Sequence, residues 1–148
     1  MTTPVRPALH HIALTVTDLD ASTAWYSAVF GLRTQMEGPD PGGFSRLLAD
    51  DDWGLVVALH RHDAARGELF AESRTGLDHV GLVVPTRDDL VRWQDHLERH
   101  GVGRAPQTGR PLTQSPIADE PYGSVLVFRD PDNVQLELFA PPADQPQE

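Results

Sequence analysis

Apolar and polar residues alternate in short runs along this chain, and the runs fall into a repeated order. Residues 9–17, LHHIALTVT, place His11, Ala13 and Thr15 on one face of an extended segment. Ile12, Leu14 and Val16 fall on the other face, which predicts a half-buried strand. Asp18 or Asp20 can cap a helix through ASTAWYSAVF, and Gly31 can end it. Strands are expected at 32–37, 44–49 and 54–60, with a Pro/Gly turn at 38–43 and an acidic turn, DDDWG, between the last two. The order is β-α-β-β-β.

After a stretch without a clean period, 61–76, the order begins again. LDHVGLVV (77–84) predicts a strand, and RDDLVRWQDHLERHG (87–101) predicts a helix stopped by Gly101. A Pro-rich stretch, 104–121, is expected to hold one short strand and a loop. GSVLVFRD (123–130) and NVQLELF (133–139) close the set, and 141–148 is a polar tail expected to fray. Trp25 follows His11 by the same fourteen positions by which Trp93 follows His79. A fixed offset of this kind marks a duplicated unit. The expected architecture is therefore α+β: one domain over 1–148, with module one at about 8–60, a connector at 61–76 and module two at about 77–140. Each module would form a curved sheet with a helix on one face, and the two concave faces would enclose a cavity. Trp25 and Trp93 are expected to pack the helices onto their sheets.

Composition narrows the chemistry. The chain has no cysteine, so any metal must be held by His, carboxylate or water. Twelve basic against 22 acidic residues give a net charge of −10, with no basic cluster, which argues against nucleic acid as a partner. No signal-peptide pattern or membrane-length apolar run is present, so a cytoplasmic protein with no membrane partner is expected.

The first strand of each module carries a histidine at the equivalent position, His11 and His79. The last strand carries Glu137 between Leu136 and Leu138, so its carboxylate faces away from the leucines. Two imidazoles and a carboxylate make a three-point set for a divalent cation, leaving positions open for water or substrate. Iron, manganese, nickel, cobalt and zinc all suit such a set.

Three segments, HIALTV, HVGLVV and DPDNVQLEL, resemble the vicinal-oxygen-chelate superfamily, which includes glyoxalases, bleomycin-resistance proteins and dioxygenases. The resemblance spans about residues 8–140. It implies the paired βαβββ fold, metal ligands at His11, His79 and Glu137, a small-molecule substrate and a homodimer. The chain departs from the family at several points. Asn133 stands where the family turn has Gly, a substitution that positive φ tolerates. The fourth ligand of glyoxalase I, a glutamate on the last strand of module one, falls on Ala58 or, with a one-residue slip, Val57. The tyrosine that extradiol dioxygenases place shortly before the metal glutamate meets Val127 and Phe128, with Tyr122 further upstream as a candidate. Fosfomycin-modifying members need a cationic pocket, for which Arg46, Arg110 and Arg129 are candidates.

His60 lies on the face of Ala58. It is either a fourth ligand or general base, or an exposed histidine at a strand end beside Arg61 and His62. His10 is expected to face away from His11, and His96 and His100 to face solvent. Pro106, Pro111, Pro116 and Pro121 stiffen the stretch 104–122, expected to shape the mouth of the cavity. Two functions follow as expectations. One is a metal-dependent lyase, isomerase or dioxygenase whose substrate chelates the ion through neighbouring oxygens. The other is a metal-free protein that sequesters an antibiotic.

Overall fold

The computed structural model describes residues 1–143, so most of the expected polar tail lies outside the described residues. The described residues form two compact units, divided between Ala65 and Arg66.

The first unit runs β1 (Ile12–Thr15), α1 (Leu19–Phe30), β2 (Arg33–Asp40), β3 (Gly43–Ala49) and β4 (Val56–His62). Its sheet has the order β1-β4-β3-β2, with β1 parallel to β4 and the rest antiparallel. Asp18 caps α1, its side chain accepting from the Ala21 amide at 3.0 Å, and Gly31 ends it at φ 68°. Leu14, Val16, Tyr26, Val29, Val57 and Leu59 are buried. Tyr26 is 1% exposed whereas Trp25 is only half-buried, so the aromatic anchor of this helix is one residue later than expected.

The expected turn at 38–43 shrinks to Pro41–Gly42, and β2 continues through Gly38, Pro39 and Asp40. Because β2 is an edge strand, Pro39 can lie in it although it has no amide to give the ladder. Gly43 opens β3 because a Cβ there would strike the Arg61 carbonyl of β4.

The second unit runs β5 (Val80–Val83), α2 (Arg87–Arg99), β6 (Gly103–Arg104), β7 (Thr113–Gln114), β8 (Ala118–Glu120), β9 (Gly123–Arg129) and β10 (Gln135–Ala140). Its sheet has the order β5-β10-β9-β7-β6, with β8 also on β9. Thr86 and Asp89 form a capping box at the start of α2, whose buried residues are Leu90 and Leu97; Trp93 is half-buried. His96 and His100 are half-buried too, rather than fully solvent-facing, with ring centroids 4.4 Å apart.

The stretch expected to hold one strand holds three short ones. Gln114 is wholly buried, and its Nε2 donates to the carbonyls of Gln94 and Val102, both at 3.0 Å. That side chain fastens β7 to α2 and the turn beyond it, so this part of the Pro-rich stretch is scaffold rather than loop. The segment before β5 is also tied down. The Phe70 amide donates to the Asp132 carbonyl, Asn133 Nδ2 donates to the Phe70 carbonyl, and Glu72 makes two contacts with Arg129. Asn133 takes φ 71° as expected, and Asp130 Oδ1 accepts from the amides of Asp132 and Val134 to fix the turn.

Candidate metal and substrate site

Each of the two histidines that open the modules stands one residue ahead of its strand, since β1 begins at Ile12 and β5 at Val80. In the second unit β10 runs parallel to β5, pairing Leu136 with Val80 and Glu137 with Gly81. Leu136 and Leu138 are buried on one face, which turns Glu137 to the other. His79 Nε2 lies 3.7 Å from Glu137 Oε2. Its Nδ1 is 2.7 Å from Asp78 Oδ1.

Two donors about 2.1 Å from one tetrahedral ion stand about 3.4 Å apart, so this nitrogen and oxygen are close to the spacing of two ligands. Between His79 and Val83 on that face the residue is Gly81, and a Cβ built on it would meet nothing within 4 Å. The donor types, their spacing and the open space at Gly81 fit a divalent cation. Tyr122 is 63% exposed and stacks on Phe139 with ring centroids 6.4 Å apart. Phe139 shares the face of Glu137, two residues on, so the Tyr122 ring stands on that side of the sheet.

In the first unit β1 pairs with β4, Ala13 opposite Ala58. Ala13 follows His11 as Gly81 follows His79, so the counterpart of Glu137 is Ala58 and not Val57. This unit therefore has no carboxylate at the matching position. His11 Nδ1 lies 2.9 Å from His10 Nδ1. The expectation that His10 faces away from His11 is not met, because neither residue lies in the strand ladder and strict alternation does not govern them. An open pocket of about 390 Å³ is lined by His11, Met36, Asp40, Ser45, Ala58 and His60 among others. His60 Nδ1 is 3.1 Å from Asp40 Oδ2, and the His60 ring stacks on that of His62. Asp40 falls in the stretch whose Pro/Gly pattern predicts a turn, so nothing local in the sequence marks it as the partner of His60.

The candidate cations are largely spoken for. Arg46 is held by Asp20 and Glu37, each at 2.6 Å, and those carboxylates raise its pKa. Arg129 is 3% exposed and bound by Glu72. Among the described residues no three His, Asp or Glu side chains are grouped to hold a metal; the pair His79 and Glu137 is what the second unit brings together.

Two strand-helix-strand modules, βαβββ in the first unit and extended by short extra strands in the second, each open on a histidine, and the second closes on the strand of Glu137; together they define a small α+β protein of paired modules. The chain belongs to the Glyoxalase/Bleomycin resistance protein/Dioxygenase superfamily, whose family profile matches residues 8–138. YaeR of Escherichia coli, described as uncharacterized, is 29% identical over 141 residues, 88% of this chain and 94% of that protein. The glyoxylase/bleomycin resistance protein/dioxygenase domain from Frankia sp. EAN1pec is 29% identical at TM-score 0.80, covering 93% of this chain and all of that one. The fosfomycin resistance protein FosX from Listeria monocytogenes, solved with Mn(II) and a sulfate ion, has TM-score 0.62 at 18% identity, covering 95% and 97%. At that identity the likeness to FosX is one of fold. No described helix is long and apolar enough to cross a membrane.

Proposed function

We propose that this protein is a metal-dependent enzyme of the superfamily acting on a small substrate with two neighbouring oxygens. His79 and Glu137 supply two ligands and His11 the third, from the same chain or from a second copy in a homodimer. The observation that carries the reading is the His79 Nε2 to Glu137 Oε2 approach of 3.7 Å beside the open position at Gly81. The Mn(II) in FosX supports it as a property of a related fold. A divalent ion with one carboxylate ligand keeps residual positive charge and polarises substrate oxygens that chelate it.

The chain's own groups then divide the work. His60, with Asp40 beside its Nδ1, offers Nε2 to the pocket of the first unit as a proton acceptor. Tyr122 offers a hydroxyl on the Glu137 face for hydrogen bonding to a ligand. A phosphonate substrate is disfavoured, because Arg46 and Arg129 are neutralised by carboxylates.

A second reading is a metal-free binding protein for a cationic small molecule, favoured by the net charge of −10 together with the open pocket in the first unit. Elemental analysis of tag-free protein separates the two. The enzyme reading expects a near-stoichiometric divalent metal that is lost in His79→Ala. Absence of metal after reconstitution with each candidate ion would leave the binding reading.

A further inference from the structure

Neighbouring residues in a strand point to opposite faces, so Asp78 and His79 would normally be kept apart. They are not in a strand. β5 starts only at Val80, and ahead of it the Asp78 carboxylate swings round to the His79 ring, Oδ1 to Nδ1 at 2.7 Å. A carboxylate has acceptors only, so the proton in this hydrogen bond belongs to Nδ1 of the imidazole. The neutral ring carries one N–H, and its Nε2 is then a bare lone pair. That atom is the one 3.7 Å from Glu137 Oε2.

We infer that Asp78 is a positioning residue that holds His79 in its Nδ1–H tautomer and aims Nε2 at the space shared with Glu137. The inference rests on the metal-site reading given above, and it assigns Asp78 a role that neither the family match nor the relatives assign. A carboxylate behind a ligating imidazole fixes both its orientation and its tautomer, and strengthens it as a donor.

The first unit supplies a contrast. There the preceding residue is His10, whose Nδ1 meets Nδ1 of His11 at 2.9 Å. Two imidazoles facing each other share one proton, and either ring can hold it, so neither tautomer of His11 is imposed. The two modules place the same contact at the same position, but only Asp78 makes it one-directional. The second unit is therefore the one whose donor pair is set before any ligand arrives.

Asp78 is exposed, with 67% of its side-chain surface accessible, so Asp78→Ala and Asp78→Asn should leave the fold intact, as circular dichroism would check. The first measurement uses no metal. Long-range nitrogen–proton NMR of the metal-free protein reads the His79 tautomer directly from its two ring nitrogens. Wild type should be Nδ1–H, Asp78→Ala should lose that preference, and Asp78→Asn should keep it through the amide oxygen. The second measures Zn(II) and Ni(II) affinity by competition with a chromogenic chelator. Asp78→Ala should bind about 10–100-fold more weakly, and Asp78→Asn should recover most of the loss. An unchanged tautomer in Asp78→Ala would overturn the inference, as would unchanged affinity. Wild type that binds neither ion would instead overturn the metal-site reading, and the NMR result would still decide whether Asp78 sets the ring.

Discussion

Ala58 and Glu137 occupy the same ladder position in their respective sheets. Each lies opposite the residue two beyond its module's histidine, Ala13 for Ala58 and Gly81 for Glu137. The duplication thus preserves the backbone register while placing a carboxylate in one module and a methyl group in the other. Glu137 is spared any packing duty, because the buried residues of β10 are Leu136, Leu138 and Ala140 on the opposite face. Glu137→Ala should therefore abolish divalent metal binding while shifting the metal-free melting temperature by no more than about 2 °C, well under what a core truncation costs. Elemental analysis and thermal melts of stripped protein check both halves.

His60 is proposed to act on substrate and not on the metal. His60→Ala should keep the full wild-type metal content, while His79→Ala loses it. With any substrate that the wild type turns over, His60→Ala should lose about 10²–10⁴-fold in kcat. Loss of metal in His60→Ala would make it a fourth ligand instead.

The Glu72–Arg129 pair sets an acid limit on the second unit. Hydrogen bonds from the nearly buried Arg129 lower the Glu72 carboxyl from 4.5 to about 2. The folded value lies below the unfolded one, so the stabilisation is complete above about pH 4.5 and is lost as pH falls towards about 2. Glu72→Gln should cost about 2 kcal/mol at pH 6, less than for a fully buried pair because Glu72 is partly exposed. It should also flatten the fall in stability between pH 4.5 and 2. Urea unfolding of both proteins across that range measures it.

Gly123 joins Tyr122 to β9 at φ 146°, and a Cβ there would lie 2.5 Å from the Phe139 ring and 2.6 Å from the Ala140 carbonyl. Gly123→Ala should therefore destabilise by about 2–4 kcal/mol, from backbone strain and overpacking together. It should also pull Tyr122 off Phe139. Urea denaturation gives the first effect, and the fluorescence of Tyr122 is a poor reporter beside three tryptophans, so its ring shifts by NMR give the second.

Much of this protein was legible in the order of its residues. The repeated strand-helix-strand pattern, the helix stops at Gly31 and Gly101, the turn at Asn133 and the outward face of Glu137 follow from local rules. Those rules are the period of alternation, the backbone freedom of particular residues and the capping of helix ends. The superfamily was legible in another way, through the resemblance of HIALTV, HVGLVV and DPDNVQLEL to its members, and the family profile matches over residues 8–138.

What the tertiary structure decided lies where local rules stop applying. Pro39 reads as a turn residue, yet it sits in β2, because an edge strand has no neighbour to receive its missing amide. Gln114 reads as loop, yet it is buried, because the carbonyls of Gln94 and Val102, 20 and 12 residues away, needed a donor. The choice of Ala58 over Val57 needed the pairing of β1 with β4, which sequence spacing alone left open by one residue. Asp78 and His79 are adjacent in the chain, and strand alternation sets them on opposite sides. Only the fold shows that β5 begins one residue too late to keep them there.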